Sequence, residues 1–184
     1  MTEERLNNLI SKISNLESAL YSDNFPNTSY TSLIDVASMA KFYLVNEIMY
    51  NGEELNHPKS CYFTFDNTNN ILKAGPVWDY DWSAWSTSTE LISNNSLYYD
   101  ALFKTTEFTA KLNELCSTLD SDKVSAKISE LKLLIEKGAL YDGERWGTNN
   151  RNPRGESKSS WDEYVSYLED CIVKRLDAIK SITF

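Results

Sequence analysis

The sequence predicts a mainly α fold (α+β) carrying one small β-hairpin. Three observations point there. Successive segments place apolar residues at helical spacing. One stretch, from Val36 to Met49, is apolar almost all round. A single pair of strand-like runs flanks a polar turn. At 184 residues, with 41% hydrophobic and 12% aromatic content, the chain is long enough to bury a sizeable core. One domain spanning 1–184 is expected.

The first helix is expected over residues 3 to 21, with Leu6, Leu9, Ile10, Ile13, Leu16 and Leu20 on one side. Thr2 is placed to cap it, and Glu3 and Glu4 favour its positive end. Residues 23 to 32, rich in Asn, Pro and Ser, read as a loop. A second helix starts at Asp35 as N-cap and runs to about Tyr50. Its all-round apolar surface predicts a helix enclosed by others at the centre of the fold.

After a polar loop from Asn51 to Ser60, Cys61–Asp66 and Ile71–Ala74 flank a four-residue turn, Asn67 to Asn70. This is a hairpin signal. Gly75-Pro76 marks an edge or bend, because proline cannot donate to a ladder. Residues 86 to 96 read as a Ser/Asn-rich loop. A helix near 105 to 118 carries Phe108, Leu112 and Leu115. Another, from about 122, carries Val124, Ile128, Leu131 and Ile135, with Gly138 either ending or weakening it. High mobility is expected around residues 147 to 159, from their composition. Ser160 and Glu163 form a capping-box pattern opening the last helix, whose buried stripe is Tyr164, Leu168, Cys171, Ile172, Leu176 and Ile179.

Charge and composition exclude several functions. A net charge of −9 disfavours a nucleic-acid partner, which calls for a basic stripe. No apolar run is long enough to span a membrane, and the acidic start MTEERLNN is no signal peptide. Cys61, Cys116 and Cys171 form no CxxC pair and read as small buried hydrophobes. His57 is the only histidine, which rules out a metal site needing several.

Residues 75 to 85 read GPVWDYDWSAW. If this segment is extended, Asp79 and Asp81 leave one face about 7 Å apart while Trp78, Tyr80 and Trp82 anchor the other. Paired carboxylates on a stiff support suit a hard cation such as Mg²⁺ or Ca²⁺. An ordinary half-buried edge strand shows the same alternation. Asn46-Glu47, closing the second helix, read as a structural pair. A buried Glu47 requires hydrogen bonds from backbone or from a Lys or Arg. Trp82, Trp85 and Trp146 are expected in the core.

The order DVASMAKFYLVNEIMYN, then GEELNHPKSCYFTFDNTNNILKAGPVWDYDWSAW, resembles the CotH kinase family, named for a spore-coat protein and distantly related to protein kinases. The likeness continues through LYYDALFKTTEFTAKL, Arg145-Trp146 and the last helix, so it spans most of the chain. The resemblance implies a protein-kinase C-lobe-like helical bundle in which Asp79 and Asp81 fall on the family's metal-binding Trp-Asp-aromatic-Asp motif. Asp79 is the first choice as ligand and Asp81 the support or second ligand. Where the family carries a catalytic aspartate and a following asparagine, this chain has Glu53, Glu54, Asn56, His57, Lys59 and Ser60. Glu54 is the preferred base or ligand, and Glu53 a solvated charge. Lys59 is placed to contact a phosphate, or is a solvated lysine. His57 orients a carboxylate or phosphate, or is a surface histidine.

The scattered glycines form no phosphate-cradling loop, and no strand-borne lysine precedes the second helix. The chain therefore reads as the C-terminal part of a CotH-like domain, with the nucleotide-gripping N-terminal half missing. The resemblance implies Mg²⁺- and ATP-dependent phosphorylation of a protein on a spore or cell surface, with this fragment inactive alone. The alternatives are a catalytically silent scaffold module of a surface or spore-coat assembly, and a calcium-stabilised extracellular binding domain.

Overall fold

The centre of the molecule is a helix enclosed on most of its sides, with Lys41 and Val45 on the exposed face. The computed structural model describes residues 2–26, 28–52, 61–80, 84–92, 98–147 and 158–184. Its elements in chain order are α1 (Glu3–Leu20), a 3-10 turn (Thr28–Ser32), α2 (Val36–Met49), β1 (Phe63–Asp66), β2 (Ile71–Ala74), α3 (Tyr99–Leu102), α4 (Thr106–Ser117), α5 (Ser121–Trp146) and α6 (Trp161–Lys180). The fold is mainly helical with one two-stranded sheet, as the sequence predicts.

Asp35 caps α2, its Oδ1 accepting the Ser38 N–H at 2.9 Å. Tyr50 closes the helix in the left-handed region, at φ 55°. Between them Met39, Ala40, Phe42, Tyr43, Leu44, Asn46 and Glu47 are all buried, while Lys41 and Val45, four apart on one face, are exposed. It packs against α4, α6 and β2. The Tyr43 ring meets Tyr99 and Phe103 edge-on at 5.1 and 5.0 Å, and Phe103 meets Phe108 at 5.0 Å. Such aromatic pairs add about 0.5–1.5 kcal/mol each beyond their buried area.

The hairpin pairs Phe63 with Ala74 and Asp66 with Ile71. Asp66 organises its turn: Oδ1 accepts the N–H groups of Thr68 and Asn69, and Oδ2 accepts from Asn69 Nδ2 and Lys73 Nζ. The hairpin is fastened to the start of α2. Leu72 N–H donates to Leu33 O, Asp35 N–H donates to Leu72 O, and Ala74 N–H donates to Ser38 Oγ. This fixes where the chain leaves β2 relative to the central helix.

The outer helices meet the sequence reading unevenly. Thr2 caps α1 as predicted, and Leu16 and Leu20 are buried, but Leu6, Leu9 and Ile10 are exposed. Only the C-terminal half of α1 reaches the core. On α4, capped by Thr105, Phe108, Leu112 and Cys116 are buried and Leu115 is partly buried. Helix α5 runs straight through Gly138 to Gly147, which ends it at φ 60°. No α5 residue is buried. Of its predicted face, Val124 and Ile128 are half-buried and Leu131 and Ile135 exposed. Leu133 and Leu134 are 73% and 76% exposed. Helix α5 leans on α6 alone among its larger contacts, aided by the Lys132–Asp162 ion pair.

Helix α6 opens on Ser160, whose Oγ accepts the Glu163 N–H. The Glu163 carboxylate reaches back to Ser159, one residue before the cap. Cys171, Ile172, Leu176 and Ile179 form its buried stripe, joined by Arg175. No disulfide joins the three cysteines; Cys61 is half-buried, and burial pushes the Cys116 and Cys171 thiols up. Residues 148–157, for which mobility was expected, lie outside the described residues.

Two predictions follow from this packing. Leu112→Ala should cost about 2–5 kcal/mol in urea unfolding, while Leu134→Gln should change stability by no more than about 0.5 kcal/mol. The hydrogen bonds of the turn, with Lys73, hold the Asp66 carboxyl down to about 2. A depressed folded-state value contributes stability above the unfolded carboxylate range, lost as pH falls through the folded value. The difference in urea midpoint between the wild type and Asp66→Asn should therefore be full at pH 6 and shrink below about pH 4.

Candidate functional site

The candidate site is built where the chain leaves the hairpin and crosses the C-terminal turn of α2. Gly75, at φ +99°, precedes the cis bond to Pro76, and its N–H donates to Tyr62 O at 2.9 Å. Such a backbone conformation suits a residue without a Cβ. The chain then runs without regular secondary structure through Tyr80. Asp79 sits at φ 66°, in the left-handed region. Aspartate is one of the few side chains enriched there, because its short polar group bonds locally.

This corrects the extended reading of the acidic segment. A strand needs φ near −120°, so Asp79 itself stands outside the extended conformation. Trp78 is no anchor either. It is 57% exposed and meets the Tyr62 ring edge-on, at 6.1 Å between ring centroids. Tyr80 is the ring that holds. Its hydroxyl donates to Asn46 Oδ1 at 3.0 Å, and Asn46 Nδ2 donates to Phe42 O at 2.9 Å.

Beyond it, Trp85 N–H donates to Met49 O at 2.9 Å, and Tyr167 Oη donates to Trp85 O at 3.4 Å. Trp85 is half-buried, whereas Trp146, expected in the core, is 55% exposed under the Arg145 guanidinium. Asp81, Glu54, His57 and Lys59, with Trp82, lie outside the described residues. Of the predicted site residues, Asp79 is the one whose place is described. Its side is exposed to solvent.

Behind this segment lies a buried ion pair. Arg175 Nη2 meets Glu47 Oε2 at 2.6 Å, with both side chains fully buried. Arg175 Nε and Nη2 donate to Glu47 O at 3.0 and 2.8 Å, and Nη1 donates to Ser88 O at 2.9 Å and Glu90 O at 2.6 Å. These five contacts match the five N–H groups of a guanidinium, none of which can be left unpaired in a dry interior. The Tyr50 ring lies against the guanidinium carbon, 4.9 Å from its centroid.

Glu47 also accepts the Ile92 N–H at 3.0 and 3.2 Å and the Tyr43 hydroxyl at 3.0 Å. Burial pushes the Glu47 carboxyl up, and the Ile92 N–H, the Tyr43 hydroxyl and Arg175 act against that rise. Burial and the neighbouring carboxylate also push the Tyr43 hydroxyl up. The sequence reading called for hydrogen bonds from backbone or from a Lys or Arg to a buried Glu47, and the structure supplies both, the Ile92 N–H and Arg175. Arg175 was missed because it was read past inside the α6 stripe. The signal was there: Arg175 stands four residues after Cys171 and four before Ile179, so it shares their buried face.

Breaking such a pair leaves an uncompensated buried charge. Arg175→Met should cost about 3–5 kcal/mol in chemical unfolding, and the double variant with Glu47→Gln should cost less than the sum of the two singles. Arg175→Lys should recover little, since one ammonium cannot serve four spread acceptors.

Among the described residues, no group of three or more His, Cys, Asp and Glu side chains is arranged to hold a metal ion. No helix among them is long and apolar enough to cross a membrane. No curated protein and no solved structure matches the chain. The family model described as CotH kinase protein matches residues 1–179. With nearly the whole chain covered by that match, and with the Asn-Glu helix end, the hairpin and the Trp-Asp-Tyr-Asp-Trp segment in their expected order, the chain belongs to the CotH kinase family.

Proposed function

We propose that this chain presents the cation-holding wall of a kinase-like site, serving Mg²⁺- and ATP-dependent phosphorylation of a protein at a cell or spore surface. One observation carries the reading. Asp79 is an exposed carboxylate on a left-handed backbone, immediately followed by a tyrosine pinned to the central helix. Mg²⁺ keeps several waters and takes one or two protein carboxylates, so an exposed, backbone-fixed aspartate is chemically suited to it. Bound there, the ion would neutralise the charge of the phosphates.

In this reading Asp79 is a metal ligand and Asp81 the second or supporting carboxylate. Glu54 accepts the proton of the substrate hydroxyl, and Lys59 and His57 face the phosphates. These assignments beyond Asp79 rest on resemblance to the family. Positioning supplies most of the rate in phosphoryl transfer, so a nucleotide-gripping lysine and loop are needed for turnover.

A second reading is a catalytically silent scaffold module of a surface assembly. The exposed Leu133, Leu134, Leu140, Tyr141 and Trp146 on α5 favour it, since apolar surface of this kind accompanies contacts between proteins.

Calorimetric titration separates the two. The natural protein, with its nucleotide-gripping elements in place, should take up Mn²⁺ and then Mg·ATP, and Asp79→Ala should abolish cation uptake while melting as the wild type does. Absence of any cation or nucleotide uptake by the wild type would remove the kinase reading and leave the scaffold. Calcium uptake without nucleotide would favour a calcium-stabilised binding domain.

A further inference from the structure

We infer that Asn46 and Tyr80 form a positioning pair that sets the acidic segment on the last turn of α2. The cation arm of this inference rests on the function proposed above; the placement of the segment does not.

Asn46 is fully buried beside Glu47 in a helix whose other buried side chains are apolar. A buried amide costs free energy unless both of its ends are paired, and any aliphatic residue would fill the space without that cost. Here both ends are used. Nδ2 donates to Phe42 O, which fixes the amide orientation and leaves Oδ1 aimed at the Tyr80 hydroxyl. The amide therefore serves a purpose that packing does not require. It accepts from the one side chain next to Asp79 that is fastened at its far end.

The geometry around this contact supports a positioning role. Three groups of the segment land on the same helical turn: Tyr80 Oη on Asn46, Trp85 N–H on Met49 O, and Ile92 N–H on the Glu47 carboxylate. Trp85 and Ile92 bond through their backbone, which any residue supplies. Tyr80 bonds through a hydroxyl that phenylalanine would lack. Upstream of Asp79, Trp78 is largely exposed and meets the Tyr62 ring edge-on. The Asn46–Tyr80 bond is a side-chain restraint one residue from the left-handed turn that presents Asp79.

The test uses Tyr80→Phe, which removes one oxygen and keeps the ring, and Asn46→Ala as a second variant. Tyr98→Phe is the control, since its hydroxyl bonds Glu17 on α1 instead. Amide hydrogen exchange over residues 76–92 should quicken about tenfold in Tyr80→Phe, the equivalent of one lost hydrogen bond, with α4 and α6 amides unchanged. In a protein that binds Mn²⁺, the affinity should fall about 10–100-fold in Tyr80→Phe, as for loss of a group orienting a ligand, and stay at the wild-type value in Tyr98→Phe.

Unchanged exchange in Tyr80→Phe, or quickening spread equally over α4 and α6, would overturn the inference. So would wild-type Mn²⁺ affinity in a variant whose segment has loosened. A wild-type protein that binds no Mn²⁺ would count against the proposed function, and the exchange result would still decide the placement.

Discussion

The fold depends on a single guanidinium that has nowhere to put its charge except Glu47. Arg175 comes from the last helix, Glu47 from the central one, and the carbonyls of Ser88 and Glu90 from the segment between them. Desolvating two charges is expensive, and their attraction repays it only when every donor and acceptor is filled. That condition makes the arrangement all-or-none. Shifting α6 or the segment carrying Ser88 and Glu90 would leave buried N–H groups unpaired, so these elements are locked to α2 together. The pair specifies the arrangement more than it stabilises it, because apolar side chains of the same volume would fill the space at less cost.

The same turn of α2 therefore does two things. Its inner face completes the ion pair, and its outer edge receives Tyr80 and Trp85. Both depend on the helix stopping where it does, at Tyr50 in the left-handed region, which leaves carbonyls near the helix end available to other donors. Asn46 O and Glu47 O accept the Tyr50 N–H, Glu47 O also accepts from Arg175, and Met49 O accepts from Trp85. The unsatisfied end of a helix becomes a platform for an irregular segment. An irregular segment anchored this way can hold a left-handed aspartate that a regular strand could not.

The periphery follows a different logic. Helix α5 is long, capped at both ends and apolar on several sides, yet none of its residues is buried. Its stability comes from propensity, caps and its main packing partner among the described elements, α6. Helical spacing of Val124, Ile128, Leu131 and Ile135 shows that a helix forms, but an apolar stripe does not state what covers it. The same holds at the start of α1, where Leu6, Leu9 and Ile10 continue the stripe of Leu16 and Leu20 beyond the edge of the core.

By itself the sequence determined what is local. The caps at Thr2, Asp35 and Ser160, the deep burial of α2 on most of its sides, the hairpin with its four-residue turn and the family resemblance were all legible in neighbouring residues. Caps and periodicities act over one or two turns of chain, so their causes lie within the window being read. For the site, the need of a buried Glu47 for hydrogen bonds from backbone or from a Lys or Arg was legible, because a buried carboxylate is costly unless it is paired. Tertiary structure alone decided that the cation is Arg175, 128 positions away, that Asp79 turns left-handed instead of extending, and that Tyr80 seats on Asn46. Those outcomes are set by which groups meet in space, and spacing along the chain carries no record of that distance.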